Sequence, residues 1–86
     1  MERICYFMAN LHIKYTMEDK GIYSFHLNDN YKLSITTLKL VIRDNFAQIA
    51  IYKNNELINE TIIVKSYEDF CNTFKDLIIK INNGII

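Results

Sequence analysis

His12 and His26, Cys5 and Cys71, Glu60 and the neighbouring pair Glu68-Asp69 are the residues of this chain whose types could carry chemistry. If the first two strand-like runs form a hairpin whose facing residues sum to 38, His12 and His26 become cross-strand neighbours. Two imidazoles can begin a metal site, but no third ligand shares their parity, and Lys14 beside them opposes a cation. The two cysteines stand far apart, make no CxxC pair and are too few for a disulfide framework, so reduced thiols are expected. Cys71 falls on an apolar helical stripe and reads as a small hydrophobe rather than a nucleophile. Glu68 and Asp69 suit the first turn of a helix. A glycine-rich phosphate loop and the HExxH, GxSxG and EF-hand patterns are all missing from the sequence. The expectation is a non-enzymatic protein with no cofactor and no metal.

Those residues must be held by a small framework. Eighty-six residues with no Pro, no Trp and two Gly, half of them hydrophobic, fit one domain over 1–86 with a single core. Ten basic residues balance ten acidic ones, so the chain as a whole exerts no long-range pull on nucleic acid or anionic membrane. Its first residues, MERICYFMAN, do not make a signal peptide, and no run approaches the ~20 apolar residues of a membrane helix, so a cytoplasmic protein with no membrane partner is expected. Ile, Asn, Lys, Tyr and Phe make up 44 of the 86 residues. All have AT-rich codons, which points to a low-GC bacterium or to its phages and mobile elements.

Alternation of apolar and polar residues marks strands at about 3–17, 22–28, 31–43, 46–53 and 57–65. Glu18-Asp19-Lys20-Gly21, Asn28-Asp29-Asn30, Asp44-Asn45 and Asn54-Asn55 supply turns between them. The first nine residues could be helical, with Ile4, Phe7, Met8 and Leu11 on one side, but ICYFMA also reads as an extension of the first strand, and the strand is the expectation. A second-hairpin sum of 58 pairs Tyr23 with Ile35 and Phe25 with Leu33. A two-residue turn at Asp44-Asn45 forces a sum of 89, which pairs Leu38 with Ile51 and Leu40 with Ile49. Apolar parity changes inside YKLSITTLKLVIR, so a β-bulge at Thr36-Thr37 is expected to keep both ends of one long strand facing inward. The Asn54-Asn55 turn gives a sum of 109 and turns Glu60 inward with Ile58 and Ile62, an arrangement that discourages edge pairing.

From Ser66 the period becomes helical. Ser66 and Asp69 are spaced as a reciprocal cap, Tyr67, Phe70, Cys71, Phe74, Leu77, Ile78 and Ile81 form one stripe, and Gly84 provides a left-handed stop near 83. Burying Phe70, Phe74, Leu77, Ile78 and Ile81 at ~1.5–3 kcal/mol each is worth roughly 8–15 kcal/mol before entropy, comparable with the stability of a small domain. The fold class that follows is α+β: an antiparallel β-meander of about five strands with one C-terminal α-helix packed on one face.

One helix covers one face, so the other is left open. Parity places Lys14, His26, Lys32, Lys39, Arg43, Phe46 and Tyr52 on that open face and keeps the acidic residues at turns or on the helix. The expected binding surface is therefore basic and rich in hydroxyls, with an apolar end at Phe46, Tyr52, Leu57 and Ile63. Arg is scarce and RNA-binding signatures are missing, so nucleic acid is the weaker partner. A protein surface is the stronger one: the expected function is a phage or mobile-element inhibitor that occludes a host protein or ribonucleoprotein complex. Self-association into a homodimer through the Phe46/Tyr52/Ile63 patch is a third reading.

Overall fold

In the computed structural model, residues 3–27 and 30–86 are described. Runs rich in β-branched and aromatic residues build β2 (Ile22–His26), β3 (Tyr31–Thr36), β4 (Ala47–Lys53) and β5 (Glu56–Val64), and these with the short exposed strand β1 (Thr16–Asp19) pair antiparallel in chain order. Helix α3 (Tyr67–Asn82) then lays Phe70, Phe74, Leu77 and Ile81 on one face of that sheet. The fold is thus α+β, a five-stranded antiparallel meander with a C-terminal helix. The cap of α3 departs slightly from the expected box. Ser66 Oγ accepts from the Asp69 N–H (3.1 Å), but the Asp69 carboxylate reaches back to the Lys65 N–H (3.0 Å) instead of the Ser66 one. The Ile85 and Gly84 N–H groups close the other end on the carbonyls of Lys80 and Ile81, with Gly84 at φ +70°. Ile79 and Ile85 both stay exposed.

The N-terminal residues overturn the expected strand. Arg3–Asn10 is a helix, α1, and it lies beside α3 on the same face. The reason is aromatic packing: Phe7 meets Tyr67, Phe70 and Phe74 edge-on at ring separations of 6.5, 5.5 and 5.7 Å, contacts that a strand at the sheet edge could not make with α3. Helical spacing then buries Ile4 and Met8 as well. The helix stops in a Schellman arrangement, with Ile13 N–H on the Met8 carbonyl (3.0 Å), His12 N–H on that of Ala9 (3.1 Å), and His12 at φ +57°. Ile13 and Tyr15 consequently lie before β1, not in it, although both still pack on the core.

Register follows the expected sum in the second hairpin, where Tyr23 faces Ile35 and Phe25 faces Leu33. In the first hairpin it does not: Thr16 faces Ser24 and Met17 faces Tyr23. The bulge expected at Thr36-Thr37 is also absent, because β3 ends at Thr36. Thr37 then donates its N–H (2.7 Å) and Oγ1 (3.1 Å) to the Gly21 carbonyl, and a short helix, α2 (Lys39–Ile42), follows. Gly21, at φ +80°, makes this crossing possible: a Cβ there would come within 3.1 Å of Thr37 Oγ1 and 3.2 Å of Leu38. Strand β4 therefore pairs five residues away from the expected register, with Leu33 against Ile51 and Ile35 against Ile49.

The Asn54-Asn55 turn forms as expected. Both residues have positive φ (52° and 68°), Lys53 faces Glu56, and Ile51 faces Ile58. Further along β5 the pairing shifts by two, so that Ile62 faces Ile49 and Val64 faces Ala47. The Asn28-Asp29 turn lies outside the described residues, as does the side chain of Glu60.

Candidate protein-docking face

Away from the register shifts in β1 and β5, the pairing assigns the strand residues to one face or the other. Tyr23, Phe25, Leu33, Ile35, Ala47, Ile49, Ile51 and Val64 point to the helices and are buried. Their neighbours point the other way, away from α1 and α3, and they form three rows across the sheet. One row is His26, Lys32, Tyr52 and Leu57; the next is Thr16, Ser24, Ser34 and Ala50; the third is Ile22, Thr36, Gln48 and Ile63. The middle row is made of small side chains and the outer rows of larger ones, which gives a shallow trough between two ridges. Ser24 and Ala50 in the middle row are only 3% and 8% exposed. Leu57 and Ile63, at 51% and 41%, stand open at the β5 end of the two ridges.

The electrostatics of this face differ from the expected basic surface. Strand β1 continues the parity of Thr16 to Glu18, whose carboxylate leans over the trough, accepting from Ser24 Oγ (2.9 Å) and pairing with Lys32 Nζ (3.7 Å). The ammonium of Lys32 also lies 5.1 Å from the centre of the Tyr52 ring. Lys32 is thus held between an acid and an aromatic face. A half-exposed pair of this kind adds little to stability, but it neutralises the only lysine of the three rows.

Of the seven residues expected on this surface, the structure brings together His26, Lys32 and Tyr52. Lys14 lies in the loop between α1 and β1, and Lys39 and Arg43 belong to the α2 corner. Phe46 points to the opposite side altogether, where its ring meets Tyr67 at 5.9 Å and Phe70 at 5.8 Å. The cause is common to the last three: β3 and β4 are joined by a corner of irregular backbone, so the even-odd count carried across it no longer specifies a face. His12 and His26 are not neighbours either, since His12 caps α1. Sequence reasoning omitted Ile22, Thr36, Ala50 and Glu18 from the face. The parity of Ile22 and Thr36 with Ser24 and Ser34, and of Glu18 with Thr16, was the signal that could have found them.

The thiols have tyrosine partners. Hydrogen bonding between the Tyr15 hydroxyl and Cys5, and between Tyr67 and Cys71, pushes both tyrosines above the ordinary pKa of 10.0, with burial adding in the same direction. Among the described residues, no three His, Cys, Asp or Glu side chains converge as metal ligands would, and no helix is long and apolar enough to cross a membrane. Comparison with protein-family models, curated proteins and solved structures gave no match to this chain.

Proposed function

We propose that this chain is a small non-enzymatic binding module that docks a partner protein on the open face of its sheet and acts by occluding the partner's surface. The observation that carries this reading is the three-row face opposite α1 and α3, with Tyr52, Leu57 and Ile63 on the rows either side of Ser24, Ser34 and Ala50. Aromatic and aliphatic groups around a shaped, nearly neutral depression suit a protein surface. The same features disfavour nucleic acid, which needs several unpaired cations, whereas the single lysine here is already matched by Glu18. The AT-rich composition agrees with an origin in a phage or mobile element, and an inhibitor of a host defence complex is the role such a module would fill.

The test is affinity capture from a low-GC bacterial lysate on immobilised protein, with identification by mass spectrometry, run in parallel with a Tyr52→Ala/Leu57→Lys variant whose fold is checked by circular dichroism. A specific partner retained by the wild type and lost by the folded variant is the expected result. Capture unchanged by the variant would refute the open face as the docking site. Recovery of DNA or RNA that falls steeply with salt would favour nucleic-acid binding instead.

A further inference from the structure

The two residues that stop α3 are also the pair best able to react with each other. Asn83 is the one asparagine of the ten in this chain that precedes a glycine. An asparagine side chain and the next backbone nitrogen can close a five-membered ring, and glycine, with no Cβ, leaves that nitrogen unscreened and its backbone free to turn. Both residues are exposed, and a Cβ placed on Gly84 would meet no atom within 4 Å. The helix cap nevertheless holds the reacting groups apart. Asn83 sits at φ −94°, ψ 4°. Ring closure needs the Gly84 nitrogen eclipsed with the Asn83 Cβ, at ψ about −120° on a tetrahedral Cα, a sparsely populated region for a residue with a side chain. The attacking nitrogen is also engaged, donating to the Ile81 carbonyl at 3.2 Å, while the Asn83 and Ile85 N–H groups are held by the carbonyls of Ile79 (3.0 Å) and Lys80 (2.9 Å). Ile86 then packs on the core, and its backbone oxygen accepts from the Tyr31 hydroxyl. Rotation at Asn83 carries residues 84–86 with it, so the ring cannot close until Ile86 leaves the core.

We propose that Asn83 is a site of spontaneous modification controlled by this strap: deamidation proceeds only through the state in which residues 84–86 have lifted from the core, and its product keeps the strap from closing again. In the first step the Gly84 nitrogen bonds to Asn83 Cγ, the bond from Cγ to the side-chain nitrogen breaks, and ammonia leaves with the proton that Gly84 gave up. Water then opens the succinimide ring at either carbonyl, giving aspartate or isoaspartate. One water is consumed, one ammonia is released, and nothing is oxidised or reduced. Either product puts a negative charge at the C-terminus of α3, where the helix dipole disfavours it. Lys80, the basic residue of that last turn, is already paired with Asp76 at 2.9 Å. Isoaspartate also adds a methylene to the backbone, so the Gly84 and Ile85 N–H groups lose the spacing that lets them reach Ile81 and Lys80 together. The inference does not depend on the docking face.

The test incubates the full chain at mildly alkaline pH, folded and in denaturing urea, follows the gain of about 1 Da by mass spectrometry, and locates it by fragmentation. Asn83→Gln, whose longer side chain cannot close the five-membered ring, should abolish the fast conversion. Conversion at Asn83 should be at least about tenfold slower in the folded protein than in urea, because local opening must precede it. Tyr31→Phe keeps the ring and removes the hydroxyl that holds Ile86. With its fold checked by circular dichroism, it should raise the folded rate by about three- to tenfold and leave the rate in urea unchanged. Ile86→Ala, at a half-buried position, should act in the same direction. The converted protein should also lose the hydrogen-exchange protection of the Ile85 amide. Equal rates in folded and denatured chains, strap variants with the wild-type folded rate, another asparagine reacting ahead of Asn83 in the folded protein, or a product that keeps the Ile85 amide protected would each overturn the proposal.

Discussion

The connection that leads into β4 and the one that leaves it both contain asparagine and both join neighbouring antiparallel strands, but different forces shape them. Leaving β4, Asn54 and Asn55 adopt φ 52° and 68°, the two positive values of a type I′ turn, and asparagine accepts such angles more readily than most residues. That turn is local: two residues specify it, and the register of Lys53 with Glu56 follows. Entering β4, residues 37–46 cross the end of the sheet, with Thr37 bonded to Gly21, Ile42 buried and Arg43 in a conformation its side chain does not favour. There the chain accepts local strain because distant partners hold it. The difference teaches that a turn encoded by its own residues and a corner imposed by its neighbours can look alike in sequence and respond oppositely to mutation.

Substitutions can break or sharpen that contrast. The largest effect is expected for Ile42→Ala, which removes the corner's buried anchor: a loss of about 2–4 kcal/mol, seen as a melting temperature lower by roughly 10–20 °C for a domain of this size. If that change is nearly silent, the corner is not held by tertiary packing. Gly21→Ala comes next, at about 1.5–3 kcal/mol in chemical denaturation, since alanine is strained at positive φ and its Cβ would press on Thr37 and Leu38. Asn55→Ala should cost about 1 kcal/mol through the turn alone and leave the corner's amide exchange untouched. The smallest effect has the opposite sign: Arg43→Gly should stabilise the protein by about 0.5–1 kcal/mol, because glycine takes that turn position without strain. Were Arg43→Gly destabilising, the arginine side chain would be contributing a contact that outweighs the backbone strain.

The surfaces differ in the same way as the connections. On the open face, His26, Lys32 and Tyr52 were legible from alternation because β2, β3 and β4 pair through them without interruption. Phe46 was not, because its parity was counted through the corner, and Lys39 and Arg43 failed for the same reason. Glu18 was read as a turn residue, yet β1 carries it far enough to reach Ser24 and Lys32. With Lys14, Lys39 and Arg43 placed elsewhere, that carboxylate balances the one expected cation left on the face, Lys32, and the expected basic surface becomes a nearly neutral one.

From sequence alone came the α+β class, the β2–β3 register, the Asn54-Asn55 turn, and α3 with its serine cap and glycine stop. Each rests on a period or a dihedral preference contained within a few neighbouring residues. Tertiary structure decided that Arg3–Asn10 is a helix, that β3 ends at Thr36, and which side of the sheet receives Phe46. Those outcomes depend on burial against surfaces distant in the chain: the rings of Phe70 and Phe74 for α1, the Gly21 carbonyl for Thr37, and Tyr67 for Phe46. Alternation records which residues are apolar, but the face they reach is fixed only when another part of the chain arrives to cover it.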